Sequence, residues 1–178
     1  MDAFIAGNRL TPDDAYRYAK GEKIHADAGY DIQLQGPPLD FLAVTDHGEY
    51  LGIVPAMNTE GTALSQTETA KIAFGENAQD AAKVFQQIGI SFVLGQPIEE
   101  INDQGVMNTV WAKTVDAAER FNEPGKFTTF AAYEFTAMKV ISADAGAAGN
   151  LHRNVIFKGA APEQIFSTLQ STNPEDLW

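Results

Sequence analysis

Asp46-His47 closes an apolar run, Leu39-Asp40-Phe41-Leu42-Ala43-Val44-Thr45, that reads as a buried strand. A metal ligand or catalytic base placed where a strand gives way to a loop is held on a rigid element yet faces an open cleft. His152 repeats the arrangement within Asn150-Leu151-His152-Arg153-Asn154-Val155-Ile156-Phe157, and Glu134 closes the run Phe127-Thr128-Thr129-Phe130-Ala131-Ala132-Tyr133. Two histidines and two carboxylates at strand edges make half of a hydrolytic metal site. Such groups can hold a divalent ion and leave a position for water, whose pKa then falls towards about 7. Asp46 could be a direct ligand, or an outer acceptor that orients an imidazole. Glu134 could bridge two metals. Glu49, two residues beyond His47, could be a further ligand or a proton acceptor. Arg153 could clamp a phosphate or carboxylate.

Each residue also has a plain structural alternative. An Asp-His pair after a strand can be a turn whose Asp caps local amides. Glu134 alone could be a solvated strand end. His152-Arg153-Asn154 could be an edge strand, with Arg153 in a surface ion pair. His25 lies in a polar segment and reads as surface. Asp46, His47, Glu134 and His152 gain weight together because the strand pattern sets them along one sheet edge.

The elements that must position them follow from the pattern. Thr11-Pro12-Asp13-Asp14 starts a helix that runs to about Lys20 and stops at Gly21. A short strand is expected at Tyr30 to Leu34, and loop or broken helix from Gly48 to Ser65. Glu76 to Ile88 is amphipathic, with Gly89 as its stop. Ile90 to Met107 reads mostly as loop, and Thr109 to Phe121 as a second amphipathic helix. Lys139 to Asn150, rich in Ala and Gly, reads as a mobile loop, and Pro162 to Gln170 as a short helix. Asn173-Pro174 begins another helix. Strands alternating with helices imply an α/β fold with parallel strands.

The 178 residues suffice for one domain with a real core. A hydrophobic share of 44% against 20% charged fits a globular chain rather than a disordered one. The net charge of -12 argues against a nucleic-acid partner, because it repels phosphate backbones and no basic patch offsets it. Apolar stretches fall far short of the roughly 18 residues of a membrane span. With no cysteine, any metal must be held by His, Asp and Glu, which favours zinc, manganese, iron or magnesium. There is no signal segment, Walker loop, dinucleotide fingerprint, Gly-x-Ser-x-Gly or His-Glu-x-x-His.

Four separated segments carry a resemblance. They are Asn8-Arg9-Leu10-Thr11-Pro12-Asp13-Asp14-Ala15-Tyr16, Leu39 to Gly52, Ala132-Tyr133-Glu134-Phe135-Thr136, and Asn150 to Gly159. In this order they resemble the DUF3604 family, over nearly the whole chain. That family is similar to the PHP (polymerase and histidinol phosphatase) superfamily of distorted β/α barrels. Its members bind two or three divalent metals, and many hydrolyse phosphoesters.

The resemblance implies that His47 is the ligand of a Thr-Asp-His motif, with Asp46 in or beside the ligand shell. It implies that Glu134 bridges two metals and that His152 is a further ligand. The implied cofactors are zinc, manganese or iron. The implied partner is a small, phosphorylated substrate. PHP-like proteins open with a His-x-His strand that this chain lacks, and their later strands carry further ligands. The resemblance therefore implies a single partial PHP-like domain over 1–178, an internal portion of a longer protein. It also implies an open barrel edge that an oligomer would cover. The compartment stays open, although family members are often exported.

The leading expectation is metal-dependent phosphoester hydrolysis, with Asp46, Glu49 and Arg153 assisting. The alternatives are an inactive remnant or binding module, and a hydrolase of another ester or amide bond.

Overall fold

The computed structural model describes residues 1–142 and 147–178. Two helices open the chain, α1 (Asp2–Ile5) and α2 (Pro12–Ala19). The start of α2 is a reciprocal cap: the Thr11 hydroxyl accepts from the Asp14 N–H while the Asp14 carboxylate accepts from the Thr11 N–H. Strands β1 (Ile24–Ala26) and β2 (Tyr30–Ile32) form a hairpin, and β3 (Phe41–Ala43) follows. Four helices come next: α3 (Ile53–Met57), α4 (Glu68–Ala73), α5 (Ala78–Val93) and α6 (Gln104–Phe121). The last strands are β4 (Thr128–Phe130), β5 (Ala132–Phe135), β6 (Met138–Ser142), β7 (Ala147–Asn150) and β8 (Arg153–Ile156). The class is α/β, as the alternation of patterns predicts. No helix of the described residues is long and apolar enough to cross a membrane.

Among the described strands the expectation of parallel pairing holds for one pair. β3 runs parallel to β4, with Leu42 opposite Thr129. The pairs β1–β2, β5–β8 and β6–β7 are antiparallel. Connection length explains the difference. A parallel pair needs a long crossover, and α3 to α6 supply one between β3 and β4. The β1–β2 link is a tight turn that only an antiparallel pair can use, and β6–β7 nests between β5 and β8. Among the described residues these pairs do not join into one closed sheet.

Helix boundaries differ from the pattern in instructive ways. α5 passes through Gly89, which does not adopt a left-handed backbone, and ends before Gly95, which does (φ 63°). A glycine inside a helix costs about 1 kcal/mol, and burying Ser91 and Phe92 on the extra turn outweighs it. α6 starts five residues earlier than its amphipathic pattern, because the Asp103 carboxylate caps the N–H of Val106 at 3.0 Å. The stretch read mostly as loop from Ile90 to Met107 therefore gives up both its ends to these helices, while its middle, residues 94–103, stays outside them apart from the 3-10 turn Glu99–Ile101.

Two further expectations are overturned. Lys139 to Asn150 is mostly the β6–β7 hairpin rather than a loop, with residues 143–146 outside the described residues. Pro162 to Gln170 forms no helix. Its amides are taken elsewhere: Thr168 N–H donates to Glu49, and Ser167 N–H to the Gln170 side chain. The segment from Asn173 makes only a 3-10 turn, Pro174–Leu177.

The main core gathers Tyr50, Ile53, Ile88, Ile101, Trp111 and Phe135. Trp111 meets Tyr133 edge-on at 5.8 Å, and its indole N–H donates to the Pro162 carbonyl at 2.7 Å. A second cluster of Tyr16, Ala19, Ala117, Ala118 and Phe127 joins α2 to α6. Arg120 reinforces that join with a two-point ion pair to Asp13, 2.8 and 3.2 Å. Being at the surface, the pair is screened by water and adds little to stability.

Candidate functional site

The run after β3 and the strand β5 meet where both would carry chemistry. Gly48 N–H donates to the Glu134 carbonyl and Glu134 N–H to the Asp46 carbonyl, each at 2.8 Å, so His47 and Glu134 form a parallel bridge. Partners in such a bridge present side chains to the same face, and their neighbours to the other. His47 and Glu134 are accordingly together, with Nδ1 3.1 Å from Oε2. His152 comes from the turn entering β8, where its N–H donates to the Asn150 side chain at 2.8 Å. Its Nδ1 lies 2.7 Å from the other Glu134 oxygen. One carboxylate thus holds two imidazoles whose ring centres are 6.2 Å apart. All three side chains are about one-fifth exposed, at 19%, 22% and 24% for His47, Glu134 and His152, which suits a site that a small molecule must reach.

A family model described as "Protein of unknown function (DUF3604)" matches residues 1–178. The chain belongs to the DUF3604 family. No curated protein and no solved structure matches it.

The DUF3604 chain thus unites three of the four expected ligands and leaves out the fourth. Asp46, one residue before His47, is turned to the opposite face. It is exposed and lines a cleft of about 280 Å³ with Asp14, Tyr18, Ile24 and Val44. Glu49 is fully buried rather than open to a substrate. Its Oε1 accepts from the N–H of Thr136 (3.2 Å), and from the N–H (3.0 Å) and hydroxyl (3.1 Å) of Thr168. Arg153 is exposed, and its guanidinium folds onto the carbonyls of Leu151 and His152. His25 lies at the surface beside Asp31, as its polar segment suggests.

Two residues at the site escape the sequence reading. Asp2 Oδ2 lies 3.7 Å from His47 Nε2. Burial opposes its ionisation, but the His47 imidazole and the Ala3 N–H outweigh that and hold the carboxyl below the usual carboxylate range. No spacing signal marks it. Thr136, two residues after Glu134, places its Oγ1 2.6 Å from His47 Nδ1. The period of two along a strand does mark that residue.

Among the described residues no group of three or more His, Asp and Glu side chains is set to hold a metal. Two atoms of these ligand types are nevertheless buried without a hydrogen-bond partner, Glu49 Oε2 in the core and His152 Nε2 at the site. With Nδ1 engaged by a carboxylate, such a nitrogen is the usual ligating atom of a histidine. The donor set of imidazoles and carboxylates, with no thiolate, suits zinc, manganese or iron.

One residue before Glu134, Tyr133 points into the core and its hydroxyl donates to the Phe166 carbonyl at 2.7 Å. Burial first, then the Glu49 carboxylate, pushes the phenol up to about 12. Above pH 10 the unfolded chain loses this proton before the folded one does. The stability tied to Tyr133 is therefore complete below pH 10 and lost as pH rises through about 12. Two pH units of difference correspond to at most roughly 2–3 kcal/mol. Tyr133→Phe is expected to cost about 1 kcal/mol at neutral pH. It should also lose less stability than the parent between pH 10 and 12, read from urea midpoints.

Proposed function

We propose that the DUF3604 chain belongs to a metal-dependent hydrolase of PHP type that cleaves phosphoesters. The observation that carries this reading is the meeting of His47 and His152 on the Glu134 carboxylate, with His152 Nε2 buried and unpartnered. The parallel β3–β4 pair, with the site just beyond its carboxyl end, supports the β/α-barrel part of the proposal. His47 and His152 would hold the metal through Nε2, with Glu134 orienting both imidazoles from their Nδ1 side and Asp2 near enough to His47 to assist. A bound divalent ion would supply an ionised water at neutral pH. Glu134 fixes both imidazoles in place, and Phe92, 6.5 Å from the His47 ring, walls one side. Neutralisation of an anionic substrate would then fall to the metal, and to Arg153 if its guanidinium swings from the backbone carbonyls it now bonds.

The test is calorimetric titration with manganese or zinc, alongside hydrolysis of p-nitrophenyl phosphate. His47→Ala is expected to weaken binding by more than the roughly 10–100-fold that changes to outer partners cost, and to abolish hydrolysis. Equal metal binding by parent and variant would sink the proposal.

A second reading, a folded module without catalysis, is favoured by the lack of a ready three-residue metal group among the described residues. It predicts no saturable heat with either metal. Hydrolysis of a carboxylic ester or amide in place of the phosphoester would keep the metal site and change the bond cleaved.

A further inference from the structure

We infer that Thr136 is a positioning residue that holds the His47 ring with Nδ1 against the Glu134 carboxylate, which sets the tautomer and leaves Nε2 as the ligating atom, and that Glu49 holds Thr136 in place. The inference rests on the reading of His47 as a ligand. Two oxygens approach His47 Nδ1: Thr136 Oγ1 at 2.6 Å and Glu134 Oε2 at 3.1 Å. An ionised carboxylate only accepts hydrogen bonds, whereas a hydroxyl can accept or donate. A proton on Nδ1 satisfies both neighbours. A lone pair there would face the lone pairs of Glu134. The proton therefore belongs on Nδ1, and the free lone pair on Nε2, on the side of Asp2.

The placement of Thr136 is not incidental. Its side chain is buried, and its own N–H donates to Glu49 Oε1. His47 and Glu49 lie on one segment, Glu134 and Thr136 on the other, each pair two residues apart. The links between them cross: side chain to side chain from His47 to Thr136, and side chain to backbone from Glu49 to Thr136. Glu49 also ties down Thr168, so the anchor of Thr136 is itself fixed at a third point. Outer partners of this kind set ring orientation and tautomer, and their loss costs roughly 10–100-fold in metal affinity.

The experiment compares the parent with Thr136→Val, which keeps shape and loses the hydroxyl, and Thr136→Ser, which keeps the hydroxyl. Imidazole nitrogen shifts of the metal-free protein are read by NMR at about pH 8.5, where an ordinary histidine is neutral. The parent and Thr136→Ser should show His47 protonated on Nδ1, and Thr136→Val a mixture of tautomers. Manganese or zinc titration should then give at least a tenfold loss for Thr136→Val and near-parent affinity for Thr136→Ser. Protonation on Nε2 in the parent, or a Thr136→Val protein with the parent's tautomer, overturns the inference. The tautomer is read without metal, so a protein that binds none would defeat the proposed function while this test still gave its answer.

Discussion

Glu49→Ala is expected to cost about 3–5 kcal/mol, the range for removing one partner from a buried charged network. The carboxylate is fully buried, and its Oε1 serves three donors from two distant segments. Removing it strands the N–H groups of Thr136 and Thr168, each worth about 1–3 kcal/mol when buried without a partner. The Thr168 hydroxyl can turn elsewhere, and water can enter the space, so the sum falls short of three full penalties. Glu49→Gln keeps an acceptor at Oε1 and should lose less than half as much. Denaturant midpoints decide the matter. An Ala variant within 1 kcal/mol of the parent would mean that the carboxylate is not the anchor described above.

Gly52→Ala is the second large effect, expected at about 2–4 kcal/mol. Gly52 has a left-handed backbone (φ 76°), which costs a residue with a side chain roughly 1–2 kcal/mol. A Cβ there would also fall 2.3 Å from Val110 Cγ2 on α6, well inside contact distance. Overpacking of that kind typically costs 1–3 kcal/mol. The two costs separate in a double-mutant cycle. Val110→Ala removes the methyl groups in the way but leaves the backbone strained. In the Gly52→Ala background it should therefore be less harmful than alone, by about 1–2 kcal/mol. Simple additivity would show that strain alone accounts for the loss. Tyr50, two residues earlier, is also left-handed (φ 51°), held through its hydroxyl, which accepts from the Ile98 N–H and pairs with the Ser91 hydroxyl, each at 2.8 Å. The loop that carries His47 and Glu49 is thus locked by packing on both sides of these unusual angles.

Local signals in the sequence were legible, and long-range ones were not. The Thr11-Pro12 start of α2 could be read because the cap lies within three residues. The end of α5 could not, since the burial of Phe92 outweighs the apparent stop at Gly89. The segment after Pro162 has a helical pattern, yet Thr168 N–H is claimed by Glu49, 119 residues away. At the site, His47, Glu134 and His152 were legible as chemistry at strand edges. The strand pattern kept Asp46 with His47 on one sheet edge, whereas adjacent residues on an extended segment face opposite ways, and Asp46 lines the other side. The interior role of Glu49 was hidden, since nothing local marks where a carboxylate finds its donors.

The ties at the centre differ greatly in how much chain they enclose. His152 and Glu134 are 18 residues apart, whereas His47 and Thr136 are 89 apart. Closing the longer loop costs roughly 1.4 kcal/mol more in chain entropy. The centre therefore assembles in two stages, the His152–Glu134 half within a local hairpin and the His47 half only once β3 has found β4. On a ribosome the order is stricter still, because His47 emerges long before either of its partners exists.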